Sequence, residues 1–377
     1  CGHNNNTTHI MKLLAALIGT CMLSAVSAAP ANPLPHVYKQ PDGTDTPELI
    51  LNGNEQYAWM TDTKGYHVLR DTEGWYVYAR KENGKMVSTG VRVGHKNPKK
   101  LGLTRMETAD AKDRLRKSMT EKQKGRRRLQ QNEAICNRLG TKDSPCKKKG
   151  IVVLMRFKDH ANRKLPSSSD YDVLFNNNGP DAAIAPTGSV YDIFMENSYG
   201  AYVYENHITE WVTVTKTEKE ANHGNLGLNT ANGRATWKEA LSLLDQQGFN
   251  FADFDADSSG MVDSVVILHS GAGAEVGKID CDSGATWEDR IWSHQTDTLG
   301  FSADGVNVDA YYVASAVTHY CPLDAKWKDA PGGNWGIARI GVIAHECGHF
   351  LGVDDLYDPS GGAGVGTFDL MGNMWGW

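Results

Sequence analysis

Near its C-terminal end the chain carries Ile337 to Gly352 (IARIGVIAHECGHFLG), in which His345 and His349 stand four positions apart with Glu346 beside the first. The apolar residues around them read as a helix. At 3.6 residues per turn, positions four apart lie on one face about 40° from each other, so both imidazoles can reach one metal ion. Glu346 is turned about 100° from His345, which leaves it beside the ion and not on it. Two fixed nitrogen ligands and a carboxylate free to take a proton from a metal-activated water are what hydrolytic zinc chemistry requires. Zinc lowers the pKa of such a water to about 7. Cys347, at about 200°, points away from the metal and into the core.

Zinc that is to keep one open position needs a third protein ligand. No Glu follows Glu346 in the chain, so a carboxylate from a later helix of that type is excluded. The pattern His345-x-x-x-His349-x-x-Gly352-x-x-Asp355 offers another solution: the helix ends at Gly352, the chain turns back, and Asp355 supplies an oxygen. Asp354 and Asp358 are the fallback ligands. A second metal is suggested by Asp255-x-Asp257-x-Ser259-Gly260-x-Val262-Asp263, which follows the first nine positions of a calcium loop. It offers side-chain oxygens at Asp255, Asp257, Ser259 and Asp263 and the backbone carbonyl of Met261. The twelfth position is Val266 where such a loop needs Glu, so this is no EF-hand; a polar turn without an ion is the equal alternative.

The rest of the chain divides into stretches of different character. Residues 1–10 precede the first methionine and read as upstream translated sequence or an artefact. Residues 11–28 have a lysine, an apolar run and a small-residue end at Val26-Ser27-Ala28, the parts of a secretory signal; the run is too short to span a bilayer. Residues 29–95 contain a β-meander, with strands expected near 57–61, 66–70 and 75–80 and an aromatic core of Tyr57, Trp59, Tyr66, Trp75, Tyr76 and Tyr78. Residues 96–128 are charged and end in Lys124-Gly-Arg-Arg-Arg128. That run is either a solvated linker or a processing site for a trypsin-like or convertase-like protease, cut after Arg128. Residues 129–377 alternate strand and helix patterns: strands at 151–157, 262–269 and 308–317, an extended stretch at 201–215, and helices at 189–197 and 237–247. The alternation predicts an α/β, or mixed α+β, sheet with helices packed on it.

The net charge of -6 argues against a nucleic-acid partner, and no segment after the signal reads as a membrane span. Secretion makes disulfides plausible. Cys136 with Cys146 and Cys281 with Cys321 are the preferred pairs among three connectivities, leaving Cys347 unpaired.

The spacing from His345 to Asp355 resembles the metzincin clan of zinc peptidases, and its Asp variant followed by Leu356-Tyr357-Asp358 resembles the M6, or immune inhibitor A-like, family. Phe368-Asp369-Leu370-Met371-Gly372 is similar to that family's Met-turn, which would set Met371 beneath the metal. Leu268-His-Ser-Gly-Ala-Gly273 and Ile291-Trp-Ser-His294 also look like members, although His269 and His294 read more readily as core residues than as cleft lining. The meander around Trp59 and Trp75 is similar to the family's prosegment. The resemblance implies a catalytic domain with a twisted, mostly parallel sheet and an active-site helix, preceded by a small β-rich prodomain. Cysteine-based latency is excluded for a prosegment ending at Arg128, because no cysteine lies between Cys21 and Cys136. A carboxylate or the bulk of the meander is expected to fill the cleft instead.

These readings converge on a secreted zinc metalloendopeptidase acting on proteins or peptides, made as a zymogen, with Glu346 as general base and later proton donor. The alternatives are a zinc-binding adhesion module without hydrolysis and a non-proteolytic zinc hydrolase. The stop at Trp377, six residues after Met371, leads one to expect that part of the cleft wall lies beyond the sequence.

Overall fold

The computed structural model describes residues 26–32, 34–54, 57–83, 85–105, 140–228, 230–280, 282–318, 336–357 and 365–372. After a short strand β1 (Val26–Ala28), the N-terminal part forms β2 (Leu49–Gly53), β3 (Ala58–Asp62), β4 (His67–Arg70), β5 (Tyr76–Glu82) and β6 (Lys85–Arg92). The last five make one antiparallel sheet in chain order. Its two inner turns repeat one device. Asp62 Oδ1 accepts from the amides of Lys64 and Tyr66, and Asp71 Oδ1 from those of Glu73 and Trp75. Gly65 and Gly74 take the left-handed conformation that closes each turn. The three expected strands are β3, β4 and β5, and β2 and β6 flank them. Tyr66, Tyr76 and Tyr78 lie in the core with Tyr38, Leu49, Met60 and Val68. Trp75 is half-buried at the margin, stacked under the Arg92 guanidinium at 3.2 Å.

The second part runs β7 (Cys146–Arg156), α1 (Ser168–Asn176), α2 (Val190–Asn197), β8 (Tyr202–Ile208), β9 (Val212–Thr213), α3 (Glu218–Asn222) and α4 (Ala231–Gln246). It continues with β10 (Ser264–Ala272), β11 (His294–Thr296), β12 (Phe301–Ala303), β13 (Val306–Val308), β14 (Tyr311–Val317) and α5 (Ile340–Phe350). The strand order is β1-β11-β14-β10-β7-β8, with β9 also on β7. β8, β7, β10 and β14 are mutually parallel, whereas β11 is antiparallel to β14 and β1 to β11. The result is a mixed α+β architecture, and β12 pairs with β13 as a separate hairpin.

The apolar runs in β7, β10 and β14 are continuous because both faces of the sheet are covered. Val152, Leu154, Val266, Leu268, Tyr312 and Ala314 face Ile343 and Cys347 of α5. Their alternates Ile151, Val153, Val265, Ile267, Tyr311 and Val313 face Trp237 and Leu241 of α4. Each such side chain contributes about 1.5–3 kcal/mol by leaving water. Helices α2 and α4 start where short polar residues cap them. Ser189 accepts from the Asp192 amide while Asp192 caps back, and Thr230 accepts from the Gly233 amide, six residues ahead of the expected start near Trp237.

The N-terminal sheet sits on the segment 274–292 of the second part. Tyr38 Oη donates to the carbonyl of Gly277, and Trp292 Nε1 donates to the carbonyl of Ala29 at 2.7 Å. Ala31 and Leu51 pack with Ala274 and Trp292. The bulk of the meander is thus spent on this segment, and the elements packed against α5 are β14, α2, β11 and β1. Among the described residues the meander is therefore not a main partner of the helix that carries the two histidines, contrary to the expectation that its bulk fills the cleft.

Val26–Ala28, expected as the end of a signal, forms the edge strand β1; residues 11–25 lie outside the described residues. So do Arg128, Leu129, Cys136, Cys281 and Cys321. Cys146 is disulfide-bonded to a partner outside the described residues. No helix among the described residues is long and apolar enough to cross a membrane.

Candidate metal centre

The helix α5 is buried nearly all round: Ile343 through Phe350 are all buried. One side faces the sheet through Ile343 and Cys347. The Cys347 thiol is free, lies against the hydroxyls of Tyr204 and Tyr312, and is pushed far up by burial, so it is an inert core group. The helix ends where Gly352 adopts φ +74 and donates its amide to the His349 carbonyl at 3.0 Å. That left-handed residue turns the chain back along its own helix.

The return places Asp355 Oδ1 3.2 Å from His345 Nε2 and 3.3 Å from His349 Nε2. The side chains of the two histidines are 0% exposed and that of Asp355 4%. The imidazoles stand nearly perpendicular, with centroids 4.9 Å apart and planes at 81°. Each is oriented through its other nitrogen: His345 Nδ1 meets the Leu370 carbonyl at 3.1 Å and His349 Nδ1 the Val353 carbonyl at 2.8 Å. A nitrogen facing a carbonyl carries the proton, so both Nε2 atoms present lone pairs to a carboxylate oxygen. Three acceptors brought together in a buried place call for a proton or a cation between them. Zinc fits: tetrahedral bonds of about 2.0–2.2 Å to nitrogen and oxygen set neighbouring ligand atoms about 3.3–3.5 Å apart. Asp354 is exposed and is not part of the group, and Asp358 lies outside the described residues.

Glu346 is fully buried on the same helix and stays out of the ligand group. Beneath the helix runs the turn Asp369–Gly372. The Met371 amide donates to Asp369 Oδ1 at 2.8 Å, and the Met371 carbonyl accepts from Leu356 at 2.9 Å. Met371 Sδ would stand 3.0 Å from a Cβ at Gly348, so the glycine between the histidines lets the methionine pack up against the ligand helix. The same turn supplies the Leu370 carbonyl that orients His345.

The expected calcium loop is not assembled as a ligand set. Asp255 and Asp257 turn their carboxylates onto the amides of their own turn, at Ser259 and Gly260. Asp263 meets Lys148 Nζ at 3.3 Å and the Lys149 amide at 3.0 Å, because the start of β10 lies beside β7. Ser259 Oγ bonds to Asp255, and Met261 pairs with Asn307 of β13. His269 and His294 are fully buried, with Phe157 and Tyr311 of the α4 side as ring neighbours. They are core residues and do not line the metal centre.

On that α4 side sequence reading missed a buried polar cluster of His160, Arg163, Glu218, Glu275, Asp280 and Arg290. Its trace in the sequence is the pair Gly271 and Gly273. A Cβ on either would stand 2.3 Å from a carboxylate oxygen, of Glu218 and Glu275 respectively.

The fold and site together present a candidate centre for one metal ion, on one helix and the loop that follows it. Residues 155–376 match the family model described as immune inhibitor A peptidase M6, catalytic domain, and the chain belongs to that family. It is 27% identical over 187 residues to immune inhibitor A of Bacillus thuringiensis subsp. alesti, covering 44% of this chain and 25% of that protein. It is 26% identical over 210 residues to the pre-pro-metalloprotease PrtV of Vibrio cholerae serotype O1, covering 50% of this chain and 21% of that protein. The matched region spans a quarter or less of the length of these relatives.

Proposed function

We propose that the protein is a zinc-dependent endopeptidase that hydrolyses peptide bonds in protein substrates, is secreted, and is made as a precursor. The observation that carries this reading is the meeting of Asp355 Oδ1 with both imidazole Nε2 atoms at 3.2 and 3.3 Å. His345, His349 and Asp355 would hold the zinc in a metzincin-like catalytic domain, leaving one side for water and the scissile carbonyl. Bound zinc supplies Lewis acidity to both. Glu346 lies next to His345 in a dry setting, where its carboxylate takes the proton of the attacking water and passes it to the leaving amide nitrogen. The carbonyls of Leu370 and Val353 hold the imidazoles in the ligating tautomer throughout.

In this reading residues 29–95 are the prosegment and 96–128 a linker cut after Arg128 by a trypsin-like or convertase-like protease. Cys146 pairs with Cys136, and Cys281 with Cys321. Immune inhibitor A and PrtV, the latter named as a pre-pro-metalloprotease, support a secreted precursor. The test is casein cleavage by the chain after a cut at Arg128 and by Glu346→Ala processed in the same way. The wild type is expected to cleave in a zinc-dependent manner, and the variant to keep its fold and zinc but lose cleavage by about 10²–10⁴-fold. Equal cleavage by both would remove Glu346 from the chemistry. Zinc binding by a wild type that cleaves nothing would point to a binding module.

A further inference from the structure

The side of the sheet away from α5 holds a second set of ligating side chains that the proposed hydrolysis does not use. His160, Glu218 and Asp280 each bring a ligand atom within 4.8 Å of the others, and all three are buried. His160 Nε2 lies 3.6 Å from Glu218 Oε2 and 4.0 Å from Asp159 Oδ1. They come from three stretches: the turn after β7, the first residue of α3, and the loop after β10.

Both motifs left over from the sequence build this place. Gly271 leaves room for the Glu218 carboxylate, whose Oε1 would be 2.3 Å from a side-chain carbon there. Ser270 Oγ stands 3.0 Å from His160 Nδ1, and its carbonyl accepts from Arg163 Nη1 at 3.0 Å. Arg163 Nη2 in turn pairs with Asp280 at 2.7 Å. Further along, Ile291 offers its amide to Glu218, and Ser293 donates to Glu275 at 2.6 Å.

Charge shows what the arrangement calls for. Ionised, Glu218, Glu275, Asp280 and the rim carboxylate of Asp159 would set four negative charges against the two positive charges of Arg163 and Arg290, and burial pushes the Glu218 carboxyl up to about 8, so that without a cation it holds a proton at neutral pH. An uncompensated buried carboxylate is costly, and a cation offsets it. His269, fully buried on the same Phe157 ring as His160, also has its Nε2 without a hydrogen-bond partner.

We propose that His160, Glu218 and Asp280, with Asp159 at the rim, form a structural site for a divalent transition-metal ion of the Zn2+ or Mn2+ class. The separations of 3.6 Å and 4.0 Å from His160 Nε2 to Glu218 and Asp159 lie within the roughly 4.2 Å that two ligands on one ion with bonds near 2.1 Å can span. An imidazole among carboxylates favours this class over calcium. Asp159, 38% exposed, gives the ion a route in from solvent. The ion would pin the turn after β7 and α3 to the loop that carries the N-terminal sheet. It takes no part in hydrolysis, because the sheet separates it from α5.

The experiment uses the full chain carrying His345→Ala and His349→Ala, which removes the first centre. Metal content after loading with Zn2+ or Mn2+ is measured by mass spectrometry, alongside the melting temperature with metal and with chelator. About one equivalent should remain bound, chelator should lower Tm by several degrees, and adding Glu218→Gln should abolish both effects. A folded double-histidine variant that retains no metal and shows no metal-dependent Tm would overturn the proposal and indicate that protons alone balance the cluster. Because that result needs no change at the second site, it stands even where Glu218→Gln does not fold.

Discussion

At the scale of single residues, the centre rests on Gly352 as much as on its ligands. Its φ of +74 is the conformation that turns the chain from His349 back to Asp355. A side chain there costs about 1–2 kcal/mol in the left-handed region, so Gly352→Ala is expected to lower stability by that amount in urea unfolding. Relief of the strain would swing Asp355 away, so zinc affinity should drop together with stability. Unchanged affinity would mean that Asp355 is placed by other contacts. The neighbouring acids separate more sharply. Asp355→Asn should weaken zinc binding more than tenfold and Asp354→Asn, whose carboxylate is exposed, should leave it unaltered; competitive zinc titration distinguishes them.

At the scale of elements, β11 carries His294 into the core, where burial holds its pKa down to about 4 and its Nδ1 faces the Trp292 carbonyl at 2.7 Å. The sign follows from linkage. The folded protein keeps this imidazole neutral while the unfolded chain takes a proton near pH 6.5, so its contribution is present above that pH and is lost as pH falls toward 4. Between pH 7 and 5 the wild type should lose about 2 kcal/mol more than His294→Gln, read from urea unfolding at each pH. Parallel losses would show that the imidazole is protonated in the fold.

Elements also show what the sequence made legible. The two histidines with Glu346, the glycine at the helix end and the apolar runs of β7, β10 and β14 each repeat at a period their structure imposes, and those elements were readable. β6 was not, because Lys85–Arg92 leaves much of its length in water and mixes Lys, Ser and Thr with few apolar positions. The strand β1 is too short to show a period and sits at the end of an apolar run that reads as a signal. The cluster of His160, Glu218 and Asp280 is drawn from single residues far apart in the chain, so nothing periodic announces it. Asp263 shows the reverse failure: a plausible ligand by spacing was claimed by Lys148 and Lys149 once β7 and β10 were side by side.

At the scale of the whole molecule, two sheets meet along 274–292, and Trp292 joins them through Ala29, Ala31 and Leu51. Trp292→Ala should cost about 3–5 kcal/mol locally, as for large-to-small changes in a core. Hydrogen exchange should then rise across residues 29–53 while zinc content stays constant. A rise confined to α5 would place the junction elsewhere. The ligands of the metal centre and the carbonyls that orient them all come from residues 345–371.

The central claim is that His345, His349 and Asp355 hold one zinc ion. It is tested most directly by a crystal structure of the zinc-loaded chain with data collected on either side of the zinc absorption edge. The account predicts an anomalous peak at bonding distance from His345 Nε2, His349 Nε2 and Asp355 Oδ1. A peak bound by the two histidines and a different oxygen, or no peak between them, would contradict it.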